Sequence, residues 1–362
     1  MTSPLLQPYE SGALRLPNRV AMAPMTRNRA DDATGVPGPH AAEYYAQRAG
    51  AGLIITEGIW PDPLGKGGPR IPGLVTEEQV AGWRAVTDAV HAAGGRIYAQ
   101  LWHVGRMTHP RNIGGATPVA PSPVRIEHER IFTDDGMAEH VTPRELTTAE
   151  AEGIVAAFAA EARNAIRAGF DGVELHGGNG YLIHQFLADN TNRRTDRFGE
   201  RIRFAAEAVQ AVAAAVGAER VGLRVSPGNP ENELVEHDPQ GTYQALLAEL
   251  APLGLAYLHV LERGEYGAIA GLRPHWPGTL IANYNGTAPS SREAAEEVLA
   301  KGLADVFSFG RLFIANPDLP ARFATGAPLN ELREEVVYGF PEGDHAVGYV
   351  DYPALADLRV TR

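Results

Sequence analysis

The stretch FDGVELHGGNGYLIHQFL, Phe170 to Leu187, contains one complete structural unit. A short β-rich run ends in a histidine, two glycines, an asparagine and a tyrosine, and an apolar pattern of helical spacing follows. Working outward, runs of the same kind recur at RVAMAP (19–24), GLIITEG (52–58), GRIYAQL (95–101), RVGLRVSP (220–227), LAYLHV (255–260), TLIAN (279–283) and DVFSFGR (305–311). They are close to continuous in apolar residues, as expected of parallel strands covered on both faces. Alanine-rich stretches of helical period lie between them. TEEQVAGWRAVTDAVHAAGG (76–95) opens on a threonine cap and closes on glycines, and TTAEAEGIVAAFAAEARNAIRAGF (147–170) carries apolar side chains at helical spacing.

Eight strand–helix units in 362 residues predict an α/β fold, a (β/α)8 TIM barrel in a single domain over 1–362. An open doubly wound sheet is the weaker reading, because no Gly-rich dinucleotide fingerprint follows the first strand. ALRLPNRV reads as a hairpin that plugs the far end of the barrel. The long connection 102–146 after the third strand is expected to shape the site, as is the C-terminal segment 325–362.

Composition excludes several classes of chemistry. There are no cysteines, so disulfides, thiolate metal sites and cysteine nucleophiles are absent. The formal charge of -12 disfavours nonspecific binding to nucleic acid or acidic membranes. No basic-then-apolar leader opens the chain and no apolar run reaches the length of a membrane span, so a soluble cytoplasmic protein is expected. Only two lysines occur, Lys66 in a loop and Lys301 in the helix before the eighth strand, which makes a Schiff-base aldolase on the same barrel a poor reading. His103 and His259 have no evident ligand partners, so no metal is expected. His184 lies inside a helix and reads as structural.

In such a barrel the chemistry lies at the C-terminal ends of the strands. Those ends offer Pro24, Met25 and Thr26; Gly58; Gln100 and Trp102; His176 and Asn179; Arg224; and Gly310 with Arg311. Polar groups converging from several strands, with arginines in two places, suit a large, flat, hydrogen-bonding anion, and flavin mononucleotide fits that description. Its phosphate is expected at the loops after strands seven and eight, near Asn285, Gly286, Gly310 and Arg311. Arg224 inside VGLRVSP has two readings, a cation for the flavin ring edge or a structural ion pair with an acidic residue. Gln100 and Thr26 are flavin contacts or satisfied core polar groups. Directly after strand four, His176 and Asn179 can aim two donors at one oxygen, and Tyr181 at the start of the next helix can act as a general acid. The alternative for His176 is a hydrogen-bonded packing residue.

PMTR (24–27), QLWHVGR (100–106), HGGNGYLIHQFL (176–187), the following NTNRRTDRFG, GLRVSP (222–227), FGRLFIANPDLPARF (309–323) and GYVDYP (348–353) resemble, in order and along essentially the whole chain, the old yellow enzyme family of FMN-dependent ene-reductases. The resemblance implies a non-covalent FMN reduced by NADPH or NADH, and then hydride transfer to the β-carbon of an activated alkene: an enone, enal, maleimide or nitroalkene. It implies that His176 and Asn179 bind the activating oxygen, that Tyr181 supplies the proton, and that Trp102 and Tyr349 form pocket walls. A flavin reductase acting mainly on nitrate esters or nitroaromatics, and a non-catalytic flavin-binding redox sensor, are the alternatives. A monomer or homodimer with a small-molecule substrate is expected. Three departures from the family pattern stand out: Gly68 where an aromatic residue is usual, which should open the pocket; NYNGT in the loop after strand seven; and TDRFGERIRF, shorter than usual at the start of its helix, which should affect packing more than chemistry.

Overall fold

A computed structural model describes residues 3–263, 267–284, 290–339 and 343–356. Eight parallel strands close into a barrel: β1 (Val20–Met22), β2 (Leu53–Ile59), β3 (Ile97–Leu101), β4 (Gly172–Gly177), β5 (Val221–Val225), β6 (Tyr257–Glu262), β7 (Leu280–Tyr284) and β8 (Val306–Phe309). Each pairs with its sequence neighbours, and β8 returns to β1 through Phe307↔Val20 and Phe309↔Met22. All eight apolar runs of the sequence are barrel strands. Most of their residues are buried, which is why the runs do not alternate.

Helices α1 (Ala41–Ala46), α2 (Glu77–Ala92), α3 (Thr148–Arg167), α4 (Leu182–Leu187), α5 (Arg203–Val216), α6 (Pro239–Leu250), α7 (Ala268–Leu272), α8 (Arg292–Ala300), α9 (Arg311–Ala315) and α10 (Leu319–Thr325) follow one another along the chain. Helix α2 begins at its Thr76 cap, as the sequence predicts. Thr76 and Thr147 each form a capping box, with Gln79 and Glu150, and so satisfy donors that a helix start leaves orphaned. Helix α2 turns Val80, Trp83, Val86 and Val90 inward.

The plug at the far end is a hairpin of Tyr9–Ser11 and Leu14–Leu16, so its first strand starts upstream of the stretch ALRLPNRV. Leu14 and Leu16 pack with Ala21, Leu53, Ile55, Tyr98, Tyr257, Ile281 and Val306, which closes the N-terminal mouth of the barrel. Tyr9 donates to or accepts from Thr279 Oγ1 at 3.0 Å and ties the hairpin to β7. The barrel is therefore open only at the C-terminal ends of its strands. There the 102–146 connection carries a second hairpin, Arg130–Thr133 with Gly136–Glu139, over the rim.

Candidate active site

Inside the barrel mouth the structure supplies what the sequence could not, the pairing of polar residues across strands. Glu174 on β4 is fully buried; its Oε1 accepts from Gln100 Nε2 of β3 at 2.8 Å, and its Oε2 lies 2.8 Å from His259 Nδ1 of β6. Burial alone would raise this carboxyl, but His259, Arg224 and Gln100 outweigh it and hold Glu174 below the usual range. An ionised carboxylate only accepts, so His259 carries its proton on Nδ1 and its Nε2 accepts from Ser308 Oγ at 2.8 Å. Arg224 donates through Nη2 to Asn283 Oδ1 at 2.9 Å, and Asn283 Nδ2 donates to Ser308 O at 2.9 Å. Strands β3 to β8 are thus joined by one buried network.

Arg224 therefore satisfies part of each reading. Glu174 is its buried counter-charge, yet Arg224 Nε is buried with no partner among the described residues and the side chain lines the cavity above. That cavity holds about 1000 Å³, enough for a flat tricycle with a second ligand beside it. Pro24, Met25, Thr26, Gly58, Gln100 and Arg224 line it, and so do Gly310 and Arg311. Gln100 keeps its Oε1 and one N–H for a ligand edge after serving Glu174. An orphaned guanidinium N–H, a free amide edge and backbone close to a flat space fit an FMN ring. The Arg311 guanidinium is exposed at the rim, with Nη2 engaged by Glu334. Asn285 and Gly286 lie outside the described residues.

Three groups share one wall. The His176 ring lies 4.9 Å from that of Tyr181, edge to face, and Trp102 meets Tyr181 at 4.9 Å in the same manner. His176 Nδ1 accepts from the Gly178 N–H at 3.3 Å, which leaves the proton of the neutral ring on Nε2. Burial, then the charge of Arg224, pushes His176 well below the ordinary imidazole value, so the ring is a neutral donor at pH 7. Burial, reinforced by Glu231, raises the Tyr181 phenol above its usual range and keeps it protonated. Asn179 has a left-handed backbone, φ 53, and its N–H donates to Ser226 Oγ at 2.7 Å.

The glycines around this turn serve packing between strands. A Cβ on Gly178 would lie 2.7 Å from Ser226 Oγ and one on Gly177 2.9 Å from Arg224 O, so the pair permits close approach to β5 rather than to a ligand. Gly58 admits the Trp102 indole, since a Cβ there would meet its Cε3 at 2.3 Å. Gly68 does line the cavity, and a Cβ on it would meet nothing within 4 Å.

Tyr349 is the residue the structure places elsewhere. It is 1% exposed, stacked on Tyr44 with ring centroids 4.1 Å apart and covered by the guanidinium groups of Arg27 and Arg29, and it is not among the residues lining the cavity. The two arginines account for its position. Arg27 Nε donates to Val337 O at 3.0 Å, and Arg29 Nη2 donates to Val336 O, Gly339 O and Val347 O at 2.9–3.0 Å, fastening this segment across the mouth. The wall residue that results is Tyr338, 56% exposed and lining the cavity. Irregular chain has no period to separate the two tyrosines. Glu129, Ile131 and Phe132 of the long connection line the cavity too.

His103 and His184 are held within the protein. His103 Nδ1 accepts from the Gly105 N–H at 3.0 Å, and His184 Nδ1 from the Gly180 N–H at 3.0 Å with Glu236 beside its Nε2. Among the described residues no group of three His, Cys, Asp or Glu side chains is arranged to hold a metal. No helix of the described residues is long and apolar enough to cross a membrane.

Comparison with known proteins agrees with this geometry. The chain is 41% identical over 371 residues to 12-oxophytodienoate reductase 1 of Oryza sativa subsp. japonica, covering 98% of this chain and 94% of the relative. It is 39% identical to 12-oxophytodienoate reductase 2 of Arabidopsis thaliana, with 97% and 96% covered. Among solved structures, morphinone reductase in complex with tetrahydroNAD superposes with a TM-score of 0.90 at 44% identity, covering 97% of each chain. An old yellow enzyme homologue from Zymomonas mobilis reaches 0.91 at 38% identity, covering 96% of this chain and 99% of the other. Residues 4–330 match the model of the NADH:flavin oxidoreductase / NADH oxidase family. A closed parallel barrel with a flavin-shaped cavity and these relatives lead to one assignment: the chain belongs to that family, in its old yellow enzyme branch, and is an FMN-dependent, NAD(P)H-linked oxidoreductase.

Proposed function

We propose that this protein is an ene-reductase that adds hydride to the β-carbon of an activated alkene, with Tyr181 donating the proton. The observation that carries the reading is the shared wall, where a neutral His176, the Asn179 amide and a protonated Tyr181 face one cavity. FMN held at Thr26, Gln100 and Arg224 would supply the hydride chemistry that links NADPH or NADH to the alkene. The chain's own residues do the rest. His176 Nε2–H and Asn179 Nδ2 hold the carbonyl or nitro oxygen and stabilise the negative charge that develops there. The phenol of Tyr181 protonates the α-carbon, and its raised pKa keeps that proton available at neutral pH. Trp102 packs edge to face on Tyr181 and fixes the ring.

The names of the relatives support a carbonyl-bearing substrate, since 12-oxophytodienoate and morphinone both denote ketones. The open space at Gly68 and the exposed rim residues Phe132 and Tyr338 support a bulky one. Tyr181→Phe tests the reading. It should lower kcat for a cyclic enone by about 10²-fold or more while reduction of the flavin by NADPH persists. Unchanged enone turnover would remove Tyr181 as the acid.

A further inference from the structure

The amide of Asn179 acts as a donor only if its Nδ2, and not its Oδ1, faces the cavity, and the residue that decides this lies in the loop after β5. Asn229, 2% exposed, accepts the Glu231 backbone N–H on its Oδ1 at 3.1 Å. A backbone N–H can only donate, so this contact fixes which way the Asn229 amide points. Its Nδ2 is then turned toward Asn179 Oδ1, 3.2 Å away, and toward Glu231 Oε2 at 3.1 Å. Arg263 reinforces the arrangement, with Nη1 3.5 Å from Asn229 Oδ1 and 2.6 Å from Glu231 Oε1. Asn232 Nδ2 meanwhile donates to Asn179 O at 2.6 Å and holds the backbone still. A one-way chain therefore runs from a main-chain donor to the cavity: Glu231 N–H sets Asn229, Asn229 occupies Asn179 Oδ1, and Asn179 Nδ2 is left for the ligand.

We propose that Asn229 is a positioning residue that makes Asn179 a hydrogen-bond donor toward the substrate oxygen. This rests on the role given to Asn179 above. A carboxylate at position 229 inverts the relay. Its first oxygen still accepts from Glu231 N–H, but its second can only accept, so Asn179 turns its Nδ2 outward to it and presents Oδ1 to the substrate oxygen. An aliphatic side chain removes the relay without inverting it. A packing role alone would rank the two variants the other way, because Asp matches Asn in shape and Leu does not. Repulsion between a carboxylate at position 229 and Glu231, whose Oε2 lies 3.1 Å from the Asn229 Nδ2, would weaken binding with or without Asn179, and the Asn179→Ala background separates it from the relay.

The test uses oxidised holoenzyme and 2-cyclohexen-1-one without any nicotinamide, with binding read from the perturbation of the flavin absorbance. Asn229→Asp should weaken binding by about ten-fold or more, and Asn229→Leu by less. In an Asn179→Ala background the Asp variant should change affinity by no more than about two-fold, since its effect passes through Asn179. Equal losses for Asp and Leu, or an Asp effect that survives in the Asn179→Ala background, would overturn the proposal; so would failure of the wild-type protein to bind the enone. Binding of the enone with no turnover once NADPH is added leaves the relay standing and overturns the ene-reductase reading alone.

Discussion

Glu174→Gln removes one negative charge from the barrel interior with almost no change in shape. In the native protein this carboxylate accepts from Gln100 and His259, each at 2.8 Å, and faces the buried guanidinium of Arg224. Glutamine can keep most of the hydrogen bonds. If its amide NH2 faces His259 Nδ1, the imidazole changes tautomer and donates through Nε2 to Ser308 Oγ, whose own proton is then free for Ala282 O, 3.3 Å away. The charge is only partly replaced, because the hydrogen-bond partner of Arg224 in this network is the neutral amide of Asn283 and the remaining negative charge acting on it is Glu231. Removing one partner of a buried pair typically costs ~3–5 kcal/mol. Glu174 acts on Arg224 through space rather than by direct contact, Glu231 acts on it too, and the hydrogen bonds are preserved, so this case falls below that range, at about 2 kcal/mol. Equilibrium urea unfolding at a fixed excess of FMN measures it, since cofactor binding would otherwise shift the midpoint by mass action. Replacing Arg224 as well, Glu174→Gln with Arg224→Met, should recover part of the loss by removing the unpaired charge. A single-variant loss below about 1 kcal/mol would refute the view that Glu174 compensates Arg224.

Further outcomes follow from the same geometry. Stability should peak near pH 6.5–7. Burial depresses His176, His103 and His259, and pulls His140 down to about 4, so stability present above the unfolded imidazole value is lost as pH falls below it. Opposing this, burial raises Glu57 to about 7 and lifts Glu161 well above the carboxylate range; the unfolded chain releases both protons near 4.5, so their contribution falls as pH rises from there through the folded values, and once the imidazoles are neutral this loss is what remains. Thermal unfolding from pH 5 to 8 checks both arms, and a monotonic rise would contradict the second. Gly68→Phe should fill open cavity space, raising KM for bulky enones about ten-fold while 2-cyclohexen-1-one is little affected; steady-state kinetics on the two substrates decides. Arg29→Lys cannot span three carbonyls and should loosen the segment bearing Tyr338, seen as faster amide exchange over 336–339 and 343–348 with retained flavin.

The sequence made the barrel legible because burial on both faces of a strand leaves a run of apolar residues that needs no partner to be read. The same local character hid the site's wiring. Arg224 stood out as a charge inside an apolar run, and Glu174 inside FDGVELH carried the same signal, but their association depends on the register that sets Glu174 beside Gly222 and His176 beside Arg224. Asn229 and Asn232 sit in a loop whose hydrogen bonds run to a turn some fifty residues earlier, so no spacing announces them. Tyr349 was assigned to the pocket and Tyr338 overlooked because two arginines near the N-terminus, bonding carbonyls about three hundred residues on, decide which tyrosine reaches the mouth.

The proposed reaction has two halves in one cavity, reduction of the flavin by the nicotinamide and its reoxidation by the alkene. An anaerobic titration of the purified holoenzyme, following its visible spectrum, tests it most directly. The account predicts that NADPH or NADH bleaches the flavin band and that 2-cyclohexen-1-one then restores it, with one equivalent of saturated ketone formed. A band that bleaches with the nicotinamide but is not restored by an enone or a nitroalkene would contradict the substrate class, and a protein that takes up no FMN would contradict the account as a whole.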